Sequence, residues 1–166
     1  MVINYPKGNL TQPLLSYAFA SKTSASTYNA NGGWVSLGLS CAITPQNSAN
    51  DIMILAHIGK ISANDWSGAV RILRGSSTVV GSPATAGNRK LAHSSFMRAV
   101  DDNHWGDLTL LWRDSPNTNQ AITYTLQGTA TSNAWVGINR GWGDSNSSDA
   151  AYARAVSSIF LWEIED

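Results

Sequence analysis

Charge is what this chain has least of. Asp, Glu, Lys and Arg make up 13% of its 166 residues, about half the roughly 25% usual in soluble domains. Eleven basic residues balance eleven acidic ones, for a formal net charge of zero. Lysines and arginines form no stripe, so neither nucleic acid nor an anionic membrane surface is an expected partner. The single cysteine, Cys41 in "LGLSCAIT", excludes an internal disulfide, and no Cys/His pair has zinc spacing. It is expected as a small buried hydrophobe. No apolar run approaches the length of a membrane span. The N-terminal "MVINYPKGNLTQPLL" lacks a cationic start followed by an apolar stretch, so no signal peptide is expected. These absences point to a soluble chain folded in a reducing cytoplasm. Without an export signal, the glycosylation patterns at Asn9 and Asn146 are not expected to be used.

What the chain has is apolar residues, at 43%, and seven tryptophans. That suffices for one domain with a sizeable core. A charge-poor surface also lacks the self-repulsion that keeps monomers apart, which favours life inside an assembly. Large aromatics serve cores and interfaces alike; most of the tryptophans are expected to fill a β core, with an interface between subunits the alternative for some.

The repeating period is two. In "WVSLGLSCAIT" Val35, Leu37, Leu39, Cys41 and Ile43 form a uniformly apolar face, as in a strand with one side on a core. "DIMILAHIGKI" is apolar on both faces at first, as a central strand would be, with His57 expected as a core imidazole. "SYAFASK", "SGAVRILRG", "SSTVVGSP", "KLAHSSFMRAV", "GDLTLLWRDSP", "QAITYTLQGTAT", "AWVGINRG" and "RAVSSIFLWEIE" follow the same logic. "GDLTLLWRD" and "AITYTLQ" are expected to pair through "SPNTNQ". In the second of these, Ile122, Tyr124 and Leu126 oppose Thr123, Thr125 and Gln127. "SSDAAYARAV" is the best helical stretch, at most a turn or two. About ten short strands with frequent turn signals indicate an all-β antiparallel sandwich or barrel. Residues 1–12 are expected to be an arm, and 13–166 one β-sandwich domain.

Catalytic signatures are scarce. "GLSCA" lacks the second glycine of a nucleophile elbow, and "GGW" and "RGSS" are turns with no helix after them. "VDDNHWGD" gathers Asp101, Asp102, His104 and Asp107, which suit a hard cation or an acid–base pair. A solvated hairpin uses the same residue types, and that is the preferred reading. In "RGWGDSNSSD", Asp144, Asn146 and Asp149 loosely follow a calcium loop but lack its glycine and closing glutamate. Trp142 in that loop, and Trp105 beside His104, have the surroundings of a sugar-stacking or protein-contact site, although an indole folded back over the sandwich end fits Trp142 equally well. Trp105, His104, Trp142, Asp144 and Asn146 are therefore the candidate partner-contact residues. No catalytic, metal or cofactor residues are assigned.

Taken in order, a series of fragments resembles a module of tailed-phage virion proteins. They are Ile43-Thr44-Pro45, Arg74-Gly75, Ala86-Gly87-Asn88-Arg89, Asp114-Ser115-Pro116, Tyr124-Thr125-Leu126-Gln127, Ile138-Asn139-Arg140 and Ser157 to Ile164. That module looks like capsid-decoration and tail-fibre domains. It implies a jelly roll similar to tumour-necrosis-factor and complement globular-head domains, a homotrimer and a non-enzymatic role on the virion surface. The extra tryptophans Trp105, Trp142 and Trp162 depart from the pattern.

The terminal run Ile159, Phe160, Leu161, Trp162 and Ile164 is expected as a core strand and oligomer interface, with Glu163, Glu165 and Asp166 keeping its end from recruiting another edge. Val2, Ile3, Asn4 and Tyr5 are expected to contact a capsid lattice. The first functional expectation is a trimeric cement protein bound to the major capsid protein. The alternative is a tail-fibre or receptor-binding tip, joined to tail components and recognising a host-surface glycan or protein. An enzyme such as a depolymerase is the third and least favoured reading.

Overall fold

Alternation of side chains across an extended strand decides which residues of this chain meet in the middle. The computed structural model describes residues 15–64, 67–85, 87–97, 106–131, 134–141 and 143–165. Among them are eleven strands: β1 Tyr17–Lys22, β2 Ser26–Asn29, β3 Trp34–Ile43, β4 Asp51–Ala63, β5 Ser67–Arg74, β6 Thr78–Val79, β7 Ser94–Met97, β8 Gly106–Asp114, β9 Ile122–Ala130, β10 Trp135–Ile138 and β11 Ser157–Ile164. One 3-10 turn, Ala150–Tyr152, lies in the stretch with the best helical pattern. Its first turn is capped by the Asp149 carboxylate, which accepts from Ala151 N–H at 2.9 Å.

The strands form two antiparallel sheets, a sandwich of jelly-roll type. In the first sheet β8 runs along one edge of β4, from Ile52 to Ile61. β11 and β10 share the other edge end to end, opposite Asp51–His57 and Ile61–Ala63 respectively. β1 continues beyond β11, and β2 beyond β10. The second sheet has the order β3, β9, β5, with β7 and β6 sharing the outer edge of β5. Between the sheets lie Ile52, Ile54 and Ile58 of β4, Ile159 and Leu161 of β11, Leu37 and Leu39 of β3, Ile72 of β5, and Tyr124 and Leu126 of β9. Each fully buried side chain of this size contributes roughly 1.5–3 kcal/mol.

Several expectations change. β8 and β9 do not pair: β8 lies in the first sheet and β9 in the second, so "SPNTNQ" carries the chain across the end of the sandwich. Turn residues mark a reversal without stating which sheet the next strand enters. His57 is exposed, with Nδ1 3.2 Å from Thr109 Oγ1, rather than set in the core. It shares the outer parity of Met53 and Leu55. β2 goes unseen in the pattern because "STYN" is four residues long and has no alternation. In β3, a bulge between Ser36 and Ser40 adds two residues and so preserves the inward parity of Leu37 and Leu39. Gly38 takes φ +68° there, beside the Tyr28 hydroxyl.

Two buried polar side chains hold the sheet where its strands break. Asn139, fully buried at φ +62°, follows β10. Its Nδ2 donates to Lys22 O at 2.6 Å and Ser24 O at 3.2 Å, and its Oδ1 accepts from the Ser157 hydroxyl at 2.6 Å. Its N–H donates to Lys60 O at 2.8 Å, and its carbonyl accepts from Ala155 N–H at 3.3 Å. One side chain thus spans both gaps, between β1 and β2 and between β10 and β11. Replacing Asn139 with Ala leaves several buried groups unpaired. The expected loss is about 3 kcal/mol of unfolding free energy in urea titration.

The second is Glu163, 2% exposed, which corrects its assignment as an edge guard. Ser16 N–H donates to Oε2 at 3.1 Å, while Gln46 N–H, Asn47 N–H and Asn50 Nδ2 donate to Oε1 at 2.8, 3.2 and 2.8 Å. The donors sit on segments distant in sequence, so the pattern of "FLWEIED" does not reveal them. Burial opposes the carboxylate, but these four donors outweigh it and hold Glu163 below its ordinary value of 4.5. Because the folded value lies below the unfolded one, the ionised group stabilises the fold above about pH 4.5, and this is lost as pH falls through the folded value. Glu163→Gln turns an NH2 toward N–H donors. Its melting temperature is expected to drop at pH 7 and to vary less than the parent's between pH 5 and 3, as differential scanning calorimetry would show.

Candidate functional site

Register alignment places a continuous apolar band on the outer face of the first sheet. One row runs Tyr17, Trp162, Met53 and Arg113 across β1, β11, β4 and β8. The next runs Phe19, Phe160, Leu55 and Leu111, and a third, polar row runs Ser21, Ser158, His57 and Thr109. Tyr17 is 65% exposed, Phe19 63% and Leu111 58%, and the rings of Phe160 and Trp162 lie 5.2 Å apart. Scattered exposed hydrophobics are normal, but an adjacent set on four neighbouring strands is not. At the margin, Asp51 and Arg113 form an ion pair. The Ser115 hydroxyl, with Arg113, keeps the Asp51 carboxyl below its usual value despite burial.

The terminal-strand candidates divide by parity. Ile159 and Leu161 are fully buried between the sheets, while Phe160, Trp162 and Ile164 sit half-buried on the outer side. Tyr17, Phe19, Met53, Leu55 and Leu111 join them and were missed as site residues. Their signal was present: "DIMIL" and "LTLLW" are apolar on both faces, and one of those faces finds no cover among the described residues.

Of the loop candidates, Asp144 and Asn146 lie among the described residues. Asp144 is expected as a partner contact, yet its carboxylate is engaged within its own loop. Oδ2 lies 3.1 Å from the Arg140 guanidinium, and Oδ1 pairs with Arg154. The loop is also held from below by Lys60, 4% exposed, whose ammonium donates to Ala151 O at 3.0 Å and Ala153 O at 2.7 Å. Burial, with Arg154 nearby, lowers the Lys60 pKa. Asn146 is exposed. Val2, Ile3, Asn4, Tyr5, Asp101, Asp102, His104, Trp105 and Trp142 lie outside the described residues.

Remaining polar groups tie the two sheets together. Arg74 of β5 pairs with Asp114 of β8 at 2.9 Å, and the Tyr124 hydroxyl of β9 donates to the same carboxylate at 2.7 Å. Burial and the Asp114 charge push the Tyr124 phenol far up. His93 accepts from Ile72 N–H at 3.3 Å through Nδ1 and meets the Trp112 ring edge-on at 5.8 Å. Burial lowers its pKa, so it is neutral at pH 7. Trp112 in turn packs on Gly81, at φ +53°, where a Cβ would overlap the indole. Among the described residues no three His, Cys, Asp or Glu side chains converge as a metal site requires. Nor is any helix there long and apolar enough to cross a membrane. Compared with protein-family models and with curated proteins, the chain matches none.

Since Asp144 restrains Arg140 and Arg154, Asp144→Ala should expose both to trypsin. Limited proteolysis is expected to cut the variant after these arginines faster than the parent, with little change in melting temperature.

Proposed function

We propose that this chain is a non-enzymatic virion surface protein, a homotrimeric capsid-decoration domain that stabilises the shell. The aromatic outer face of the first sheet is its self-association surface. That face carries the reading: eight large side chains, Tyr17, Phe19, Met53, Leu55, Leu111, Phe160, Trp162 and Ile164, on one side of four adjacent strands. The ordered fragments from Ile43-Thr44-Pro45 to the terminal strand, which resemble tailed-phage virion modules, support the same assignment, as does the jelly-roll sandwich. Covering the band against two other copies removes apolar surface from water at about 25 cal/mol per Å². The absence of net charge leaves little repulsion to oppose it. A trimer that binds only the assembled lattice then stabilises that lattice by mass action.

Light scattering after size exclusion is expected to give three times the 17.8 kDa chain mass. Phe19→Asp combined with Leu55→Asp, both on the outer face, is expected to give a folded species of one-chain mass. A monomeric parent sinks the self-association reading. Quantifying this chain against the major capsid protein in purified virions tests the location. About one copy per capsid subunit is expected, the stoichiometry at which binding-linked stabilisation acts on the whole shell. A few copies per particle would instead favour a tail-fibre or receptor-binding tip.

A further inference from the structure

The second sheet turns a different chemistry outward. Its five strands contain no Asp or Glu, and their only charged residues are Arg71 and Arg74 on β5. Arg74 is neutralised by Asp114. Among the described residues Arg71 meets no carboxylate: its Nε donates to the Gln127 Oε1 at 2.9 Å, and its guanidinium carbon lies 4.2 Å from the centroid of the Trp34 ring. Lys90, from the loop between β6 and β7, brings a second cation to the same indole, 5.9 Å from its centroid. Lys90 donates to Gly32 O and, at 3.0 Å, to Thr129 Oγ1. A lysine has three N–H donors and an arginine five, so both keep donors unspent.

Two cations on one aromatic ring, with no carboxylate between them among the described residues, repel each other and attract an anion. Arg71 is partly buried, and burial alone depresses its pKa. A desolvated guanidinium without a counter-charge is costly, and an incoming carboxylate relieves that cost. Beside the pair lies a depression of about 270 Å³ whose lining includes Lys90, Ala69, Phe96, Ser67 and Ser95. Apolar surface interspersed with hydroxyl-bearing side chains suits a pyranose, which offers C–H groups on its face and O–H groups at its rim. A bidentate guanidinium suits its carboxylate.

We propose that the outer face of the second sheet binds an acidic saccharide, with the sugar carboxylate between Arg71 and Lys90 and the ring over the adjoining depression. This site lies on the sheet opposite the aromatic band and does not depend on the assembly reading. Isothermal titration with trigalacturonate is expected to show binding that weakens as sodium chloride is raised. The neutral trisaccharide maltotriose is expected not to bind. Arg71→Gln and Lys90→Gln are each expected to weaken trigalacturonate binding by about tenfold, the loss of one charge-assisted contact. Particle mass and melting temperature should stay at parent values. Lys90 is exposed, so its variant carries the test if Arg71→Gln folds poorly. Absence of trigalacturonate binding at millimolar concentration, or unchanged affinity in Lys90→Gln, overturns the proposal. Equal binding of inorganic phosphate or of triglutamate also overturns it, because the site would then take any anion or an acidic peptide.

Discussion

The final strand of the chain occupies the middle of its sheet, and the rest of the structure depends on its being held there. β11 hydrogen-bonds to β1 on one side and to β4 on the other, so its backbone groups are satisfied on both edges. Its inner side chains Ile159 and Leu161 complete the core, and its outer ones complete the aromatic band. Glu163 locks the far end, gathering donors from the segment before β1 and from the turn before β4. The near end is held by Asn139 through the Ser157 hydroxyl. Both anchors are buried polar groups with every described contact made, the circumstance in which such groups specify one arrangement instead of destabilising it. Pairing the end of the chain with its beginning closes a very long loop, so this step comes at a high entropic cost and few local contacts favour it.

Charge scarcity shapes the outside as strongly as the inside. Three of the four carboxylates of the first sheet are spent on structure: Asp51 on Arg113, Asp114 on Arg74 and Tyr124, and Glu163 chiefly on backbone donors, while Asp107 of β8 is exposed. What remains on that outer face is mostly aromatic and aliphatic, with one polar row ending at Thr109 and Asp107 beyond it on β8. The second sheet has no acid in any of its strands, and Arg71 over Trp34 meets no counter-ion among the described residues. One sandwich therefore carries two chemically distinct faces, and they follow from where eleven acids happen to be placed along the chain.

Much of this organisation was legible in the sequence. The inward faces of β3 and β9 could be named residue by residue, and the terminal strand could be recognised as internal because its two faces are both too apolar for an edge. Less legible were features that depend on partners remote in sequence. Nothing in "GDLTLLWRDSP" and "QAITYTLQG" says that a seven-residue connection passes from one sheet to the other. His57 lies among apolar neighbours, yet its parity points it outward. Asp144 resembled a ligand because its loop is polar, while the structure engages it with Arg140 and Arg154.

By itself the sequence determined that this is an all-β chain, with strands whose buried faces are set by alternation. That property is local, since each side chain points opposite to its neighbour whatever the strand pairs with. Only the tertiary structure decided which strands became neighbours. Among the described residues, that choice set which apolar face lies outward, which carboxylate is buried among backbone donors, and which arginine rests on an indole. These depend on distances between residues far apart in the chain, such as Ser16 and Glu163 or Trp34 and Arg71. Packing sets such distances, and a period of two carries no information about them.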